Sequence, residues 1–485
     1  MSNFNSPLLK NGSYINGSWL SDNKDTFKVL NPANGDEIAV LANASAEQAT
    51  LAVDAASQAL PAWRNKSVKE RSRLLRRWFE LVMENKDELA KILTAEQGKP
   101  IGESVGEVVY GANYIEWFAE EAKRVYGDTI PAPSSDKRLV VIKQAVGVVS
   151  AITPWNFPSS MITRKAAPAM AAGCTFIVKA AAETPLSAIA LAELAHQAGI
   201  PAGVFNVLVT TQSREVGKVL TGDARIEKFS FTGSTPVGKI LLKQCADTVK
   251  KTTMELGGNA PFIVFDDADL DAAVEGVMES KFRNAGQTCV CSNRILVQKG
   301  VYDEFAKRFV TAVEALTLGV GNGEGVDIGP LIHSEAADSV KELVDKAVAA
   351  GAKVLTGGKK ADLGESFYQP TVLSKVDADM SIAVNEIFGP VAPLIEFETD
   401  QQAIDIANDT EFGLASYIYT RDIGRVWHVS EALEYGMVGV NEGIISNEMA
   451  PFGGVKQSGM GREGSKYGLE EYLEIKYICM GGIGS

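Results

Sequence analysis

Cys174-Thr175-Phe176-Ile177-Val178-Lys179-Ala180-Ala181-Ala182-Glu183-Thr184-Pro185 changes character at Lys179. Its first half is a short apolar, β-branched run, which reads as a buried strand. Thr184 and Pro185 then supply an N-cap and a proline at the first helical position, opening a helix that stops at Gly199. Residues 204–209 repeat the strand pattern. Residues 228–231 do so again, and Thr232-Gly233 leads into a helix through Val249. Strand and helix in alternation predict an α/β fold, with parallel strands covered by helices on both faces. A second alternating block starts at Phe262-Ile263-Val264-Phe265, with helices near 270–282, 301–316 and 335–350 and a strand at 352–355. Upstream, one long helix is expected over 67–97, opened by a Ser67/Glu70 capping box and stopped by Gly98-Lys99-Pro100. Downstream, 466–480 reads as a strand needing a partner, on another subunit or in an extended arm over 131–150 that contains Leu139-Val140-Val141-Ile142.

The chain has 485 residues, 46% hydrophobic and 22% charged, an ordinary balance for a folded protein. At roughly 100–200 residues per domain, two to three domains are expected. The net charge of −14 is spread along the chain, which argues against nucleic acid as a partner. The longest uncharged run, 144–163, contains Pro154, Asn156 and Pro158, so a membrane helix is not expected there. The five cysteines have no framework spacing, and Met1–Asn5 shows no basic segment leading into an apolar one. A soluble protein in a reducing, cytoplasmic setting is expected.

Chemistry concentrates in a few stretches. Gly286-Gln287-Thr288-Cys289-Val290-Cys291 places two thiols one residue apart. Met254-Glu255-Leu256-Gly257-Gly258 sets a carboxylate in apolar surroundings, where burial raises its pKa and suits it to act as a base. Cys289 reads as a nucleophile, or the pair as inert buried thiols. A metal site is discounted, because none of the three histidines lies nearby. Phe231-Thr232-Gly233-Ser234 joins strand to helix and offers backbone N–H groups to a pyrophosphate, or is an ordinary tight turn. Lys179 ends a strand where an open parallel sheet holds its ligands, or is simply solvated there. Asn156, between Pro154 and Pro158, is a rigidly held amide suited to donate to an oxyanion, or a structural turn residue.

In combination these stretches resemble the NAD(P)-dependent aldehyde dehydrogenase superfamily over essentially the whole chain. Carrying the likeness are Pro154-Trp155-Asn156-Phe157-Pro158, Phe231-Thr232-Gly233-Ser234-Thr235, Glu255-Leu256-Gly257-Gly258, Gly286-Gln287-Thr288-Cys289, Glu386-Ile387-Phe388-Gly389-Pro390 and Pro451-Phe452-Gly453-Gly454. The resemblance implies two Rossmann-like parallel-sheet domains and a small β oligomerisation arm. These are a cofactor-binding domain over 1–130 and 150–253, a catalytic domain over 254–455, and an arm over 131–149 and 456–485. A homodimer or homotetramer is implied. Cys289 corresponds to the nucleophile that forms a thiohemiacetal and then a thioester, and Asn156 with the Cys289 N–H to the oxyanion hole. Glu255 corresponds to the base that activates water. Trp155, Lys179, Ala182, Gly233, Ser234, Glu386 and Phe388 fall at cofactor-binding positions, and Lys165 and Glu463 at further polar positions near the site.

Within the family, 441–446 and 461–477 are most similar to the succinate-semialdehyde dehydrogenases. That implies succinic semialdehyde as substrate, with glutarate semialdehyde or a neutral aldehyde as alternatives, and a place in 4-aminobutyrate breakdown. It assigns Arg164, Arg283 and Ser446 to the substrate carboxylate, with Phe452 beside them; a guanidinium grips a carboxylate through two parallel hydrogen bonds. Cys291 corresponds to the second cysteine of a redox switch found in some members, so a thiol sensor is a more distant reading, as is a structural binding relative. One departure concerns the cofactor. NAD-using relatives carry Lys-Pro-x-Glu where this chain has Lys179-Ala180-Ala181-Ala182. Without that carboxylate a 2′-phosphate meets no negative charge, so NADP is expected to be preferred and NAD accepted.

Overall fold

The computed structural model describes residues 6–21 and 25–483; the leader reading at Met1–Asn5 lies outside the described residues. The strand read at 174–179 forms as Thr175–Lys179 and is buried throughout. Alternate side chains serve opposite faces. Phe176 and Val178 join a core with Trp78, Val149 and Leu191, while Ile177 joins another with Ala52, Val216 and Leu220. Burying each such large apolar side chain contributes roughly 1.5–3 kcal/mol. Burial on both faces is what a helix-covered parallel strand requires.

This strand lies inside an eight-stranded sheet. Lys251–Glu255, Ile226–Thr232, Val148–Ile152, Thr175–Lys179 and Phe205–Leu208 run parallel in that order. Antiparallel strands close both edges: Gly459–Met460 on one side, Ser13–Ile15 and Ser18–Leu20 on the other. The chain leaves Val148–Ile152 toward one edge and returns at Ile226–Thr232 on its other side. Ligand crevices open beyond the carboxyl ends of strands at such reversals. The residues carried there are 153–156 after one strand and Gly233-Ser234 after the other.

A second sheet of seven strands spans Ala260–Val264 to Met437–Val440 and is parallel except at Lys353–Thr356. Only residues 256–259 separate Glu255, the last residue of its strand, from the next strand, Ala260–Val264. That short crossover turns the carboxyl edge of the first sheet toward the amino edge of the second.

Two expectations change. The helix read over 67–97 is two helices, Val68–Glu84 and Lys86–Gln97. Asn85 separates them at φ −106° and ψ 13°, outside the helical region; its backbone N–H and its Nδ2 both donate to the Leu81 carbonyl, at 3.1 and 2.8 Å. The Ser67/Glu70 capping box is in place. Segment 466–480 opens with a helix, Ser465–Glu470, too short to show a period, before the strand Leu473–Met480. That strand finds its partner within the same chain, pairing antiparallel with Arg138–Ala145 in a three-stranded sheet completed by Asp128–Ile130. Among the described residues no helix is long and apolar enough to cross a membrane.

Candidate active site

Cys289 sits on a loop that the second sheet's strand Ser292–Gln298 draws taut. The approach is tight and left-handed, with Asn284, Ala285 and Gly286 at φ 53°, 55° and 75°. At Gly286 a side chain would meet the Gly389 carbonyl at 2.2 Å, and at Gly258 one would meet the Cys289 carbonyl at 2.3 Å. Both glycines are required by that closeness. Cys289 is half-buried, and its backbone N–H donates to no other group of the described chain. Burial pushes its thiol up to about 12, against a pull from Arg164 and Arg283.

Asn156 follows Val148–Ile152 in a turn tied down by Thr153 N–H on the Lys179 carbonyl at 3.2 Å. Its Nδ2 donates to the Gln287 carbonyl at 3.0 Å, which sets the amide two residues from the Cys289 backbone. Glu255 is buried, and neither carboxylate oxygen has a hydrogen-bond partner among the described residues. Burial, then the charge of Glu463, raise its pKa well above the ordinary value. Two cavities meet at the Cys289 side chain. One, of about 240 Å³, is lined by Trp155, Asn156, Gly233, Ser234, Glu255, Glu386 and Phe388. The other, of about 310 Å³, is lined by Phe157, Arg164, Arg283, Ser446 and Phe452.

A model of the aldehyde dehydrogenase family matches residues 19–478. The chain belongs to the aldehyde dehydrogenase family. It is 60% identical to the 3-sulfolactaldehyde dehydrogenase of Pseudomonas putida, over 98% of each chain. It is 58% identical to a glutarate-semialdehyde dehydrogenase of Pseudomonas putida, again over 98% of each. It is also 58% identical to the NADP(+) succinate-semialdehyde dehydrogenase of Escherichia coli, over 98% of this chain and 99% of that one.

As an aldehyde dehydrogenase the protein is an NAD(P)-dependent oxidoreductase, and its smaller cavity fits that cofactor. Ser234 caps the helix Thr235–Cys245 without spending its hydroxyl on it, leaving a polar helix start at the crevice. Phe388 stands edge-on to Trp155 at 5.6 Å and forms a wall. Glu386 accepts the Gly258 N–H at 3.1 Å, and burial pushes its pKa up to about 7. Lys179 is buried at the end of its strand and makes no ion pair among the described residues; burial lowers its pKa, against a pull from exposed Glu183.

The two arginines of the larger cavity differ. The Arg164 guanidinium lies 2.7 Å from the Glu463 carboxylate and 4.1 Å from the centre of the Phe452 ring. Lys165 holds the other Glu463 oxygen. Burial works to raise the Glu463 pKa, yet Lys165 and Arg164 keep it below the ordinary range. Arg283 makes no ion pair among the described residues; its buried Nε has no partner, and its guanidinium faces the Phe157 ring at 5.6 Å. Cys291 is a free, buried thiol that donates to the Lys281 carbonyl at 3.4 Å.

Sequence reading missed Glu103, Glu107 and Tyr110 in this cavity wall. All three lie on the helix Ile101–Glu121, and their spacing of four and three puts them on one face. That periodicity was the available signal.

Proposed function

We propose that this aldehyde dehydrogenase oxidises succinic semialdehyde to succinate, with NADP preferred over NAD. The observation that carries the substrate is Arg283, a guanidinium that makes no ion pair among the described residues, in the same cavity as the Cys289 thiol. Arg164 is already engaged by Glu463, so Arg283 and Ser446 take the substrate carboxylate, and Arg164 with Phe452 shapes the wall. Cys289 Sγ bonds to the aldehyde carbon as its thiol proton passes to water and the carbonyl π pair moves onto oxygen. The Asn156 amide and the Cys289 N–H donate to the oxyanion, a stabilisation worth roughly 100–1,000-fold in rate per donor. Trp155, Lys179, Gly233, Ser234, Glu386 and Phe388 would hold NAD(P), which would supply the acceptor for the hydride that leaves the thiohemiacetal carbon as its oxyanion collapses to the Cys289 thioester. Glu255 then takes a proton from water, which attacks the thioester carbon, releasing the acid and the thiol.

Glutarate semialdehyde is the second reading. One methylene changes recognition by only about 1–3 kcal/mol, and a relative of that name is as similar as the succinic one. The division of the chain into cofactor-binding, catalytic and arm units, a cytoplasmic homo-oligomer, and a peroxide-sensitive Cys289–Cys291 switch belong to the same proposal. Loss of activity in peroxide, restored by dithiothreitol and absent in Cys291→Ala, would support the switch.

The test compares kcat/KM for succinic semialdehyde and butanal in the parent and in Arg283→Ala. A parent preference of about 100-fold, abolished by the substitution, is expected from loss of a charge-assisted contact of about 2.7 kcal/mol. Equal loss on both aldehydes would make Arg283 structural, and comparable parent rates on both would leave a general aldehyde dehydrogenase.

A further inference from the structure

Two carbonyl oxygens govern where the Asn156 amide points, and buried donors hold both. Asn284 Nδ2 donates to the Asn156 carbonyl at 2.9 Å and to the Gln287 carbonyl at 3.2 Å. Lys99 Nζ donates to the same Asn156 carbonyl at 2.8 Å. The Asn156 amide itself donates to the Gln287 carbonyl at 3.0 Å. The turn carrying Asn156 extends the first sheet, whereas the loop carrying Cys289 opens the second. This ring of bonds is therefore a tie between the two halves at the sulfur.

Both donors are themselves fixed. Lys99 Nζ is 2.7 Å from Glu107 Oε2 and 3.9 Å from the centre of the Phe157 ring. The other Glu107 oxygen accepts the N–H groups of Ser159 and Ser160 at 2.9 and 3.2 Å, at the start of the helix that follows Asn156. Gln97 joins the two donors, giving its Nε2 to Asn284 Oδ1 and accepting the Lys99 N–H, each at 3.0 Å. Gln97, Lys99, Glu107 and Asn284 are all buried. Asn284 also holds a left-handed backbone at φ 53°, a conformation costing of order 1–3 kcal/mol that persists only where its surroundings over-determine it.

We propose that Asn284 and Lys99 are positioning residues for acyl transfer. Acting through the Asn156 and Gln287 carbonyls, they keep the Asn156 amide and the Cys289 N–H in the mutual register that a forming oxyanion needs. This rests on the oxyanion role of Asn156 proposed above. A displacement near 1 Å in such a constellation costs about 100-fold in rate.

The experiment uses the full-length enzyme with NADP and succinic semialdehyde. Rapid mixing with enzyme in excess reads the rate constant of the first hydride transfer, and a fluorescence titration with NADP counts folded sites. Asn284→Gly keeps the left-handed backbone and removes the donor. Its first-turnover constant per folded site is expected to fall about 30–100-fold, with KM for the aldehyde changed less than about twofold. Lys99→Met is expected to fall likewise, and Lys99→Arg to restore most of the rate. Added to Asn156→Ala, Asn284→Gly should cost far less than it does alone, because one of the two donors whose register it sets is already gone. An unchanged constant per site, with only fewer folded sites, overturns the proposal, as do losses that multiply in the double variant. Should Asn284→Gly fail to accumulate, Asn284→Asp presents an oxygen to both carbonyls in the same space, and a parental rate per site there is equally fatal. If Asn156→Ala itself keeps the parental rate, the oxyanion role falls first and the positioning role with it.

Discussion

Glu255 and Cys289 both hold their protons more tightly than they would in water, because each is drawn into the interior. Hydrolysis of the thioester needs Glu255 ionised. Its rate is therefore expected to climb with pH through a midpoint above the ordinary 4.5, and a pH profile of kcat checks this. Glu255→Gln should lose that limb and about 100-fold or more in kcat. The effect on stability has the opposite sign. Between the ordinary value and the raised one, the unfolded chain has already released a proton that native Glu255 keeps, so raising pH favours unfolding. Glu255→Gln removes this penalty. Its melting temperature is expected to exceed the parent's by on the order of 2 °C, with the gap widening as pH rises above the ordinary 4.5. A gap that does not change with pH would mean that Glu255 is not held protonated. That Cys289, Glu255 and Asn156 line one cavity was legible in the order and combination of their motifs, since each stretch alone also allowed a structural reading. Lys99, Gln97 and Asn284 were not. Their role exists only through contacts such as Gln97 to Asn284, across 187 positions, and no local pattern records it.

At the level of elements, the first strand and helix quoted were readable because the strand is buried on both faces and its helix has a proline start. The break at Asn85 was not, since the apolar period continues across it and the break is confined to the backbone of one residue, at φ −106° and ψ 13°. The proposed cofactor preference rests on the turn between Thr175–Lys179 and Pro185–Gln197. Ala182→Glu returns a carboxylate to the turn beside Lys179. The ratio of kcat/KM with NADP to that with NAD is expected to move about 10–100-fold toward NAD, since opposed like charges cost several kcal/mol. An unmoved ratio would place the discrimination elsewhere in the crevice.

Across the whole molecule, the three-stranded sheet leaves Leu473–Met480 at an edge, with Ile475 and Tyr477 exposed. An unprotected apolar edge is a pairing surface, and this one suits a second copy of the chain. Ile475→Asp with Tyr477→Asp is expected to reduce the mass measured by light scattering to that of a smaller assembly. An unchanged mass would move the interface to another face. The sequence offered an arm over 131–150, or else another subunit, as this strand's partner, and the strand pairs with Arg138–Ala145 of that arm; the register was not legible, because strands more than three hundred residues apart carry no mark of each other.

The two chambers that touch only at one sulfur also govern how the enzyme can be blocked. A small anionic molecule lodged against Arg283 leaves the wall of Trp155 and Phe388 untouched, and a nucleotide fragment between those rings leaves Arg283 free. Inhibitors of these two kinds therefore need not compete with each other. Used together, they would give the intersecting lines of simultaneous occupancy in a double-inhibition plot, and chemically linked through the vicinity of Cys289, they would act as one molecule with two footholds.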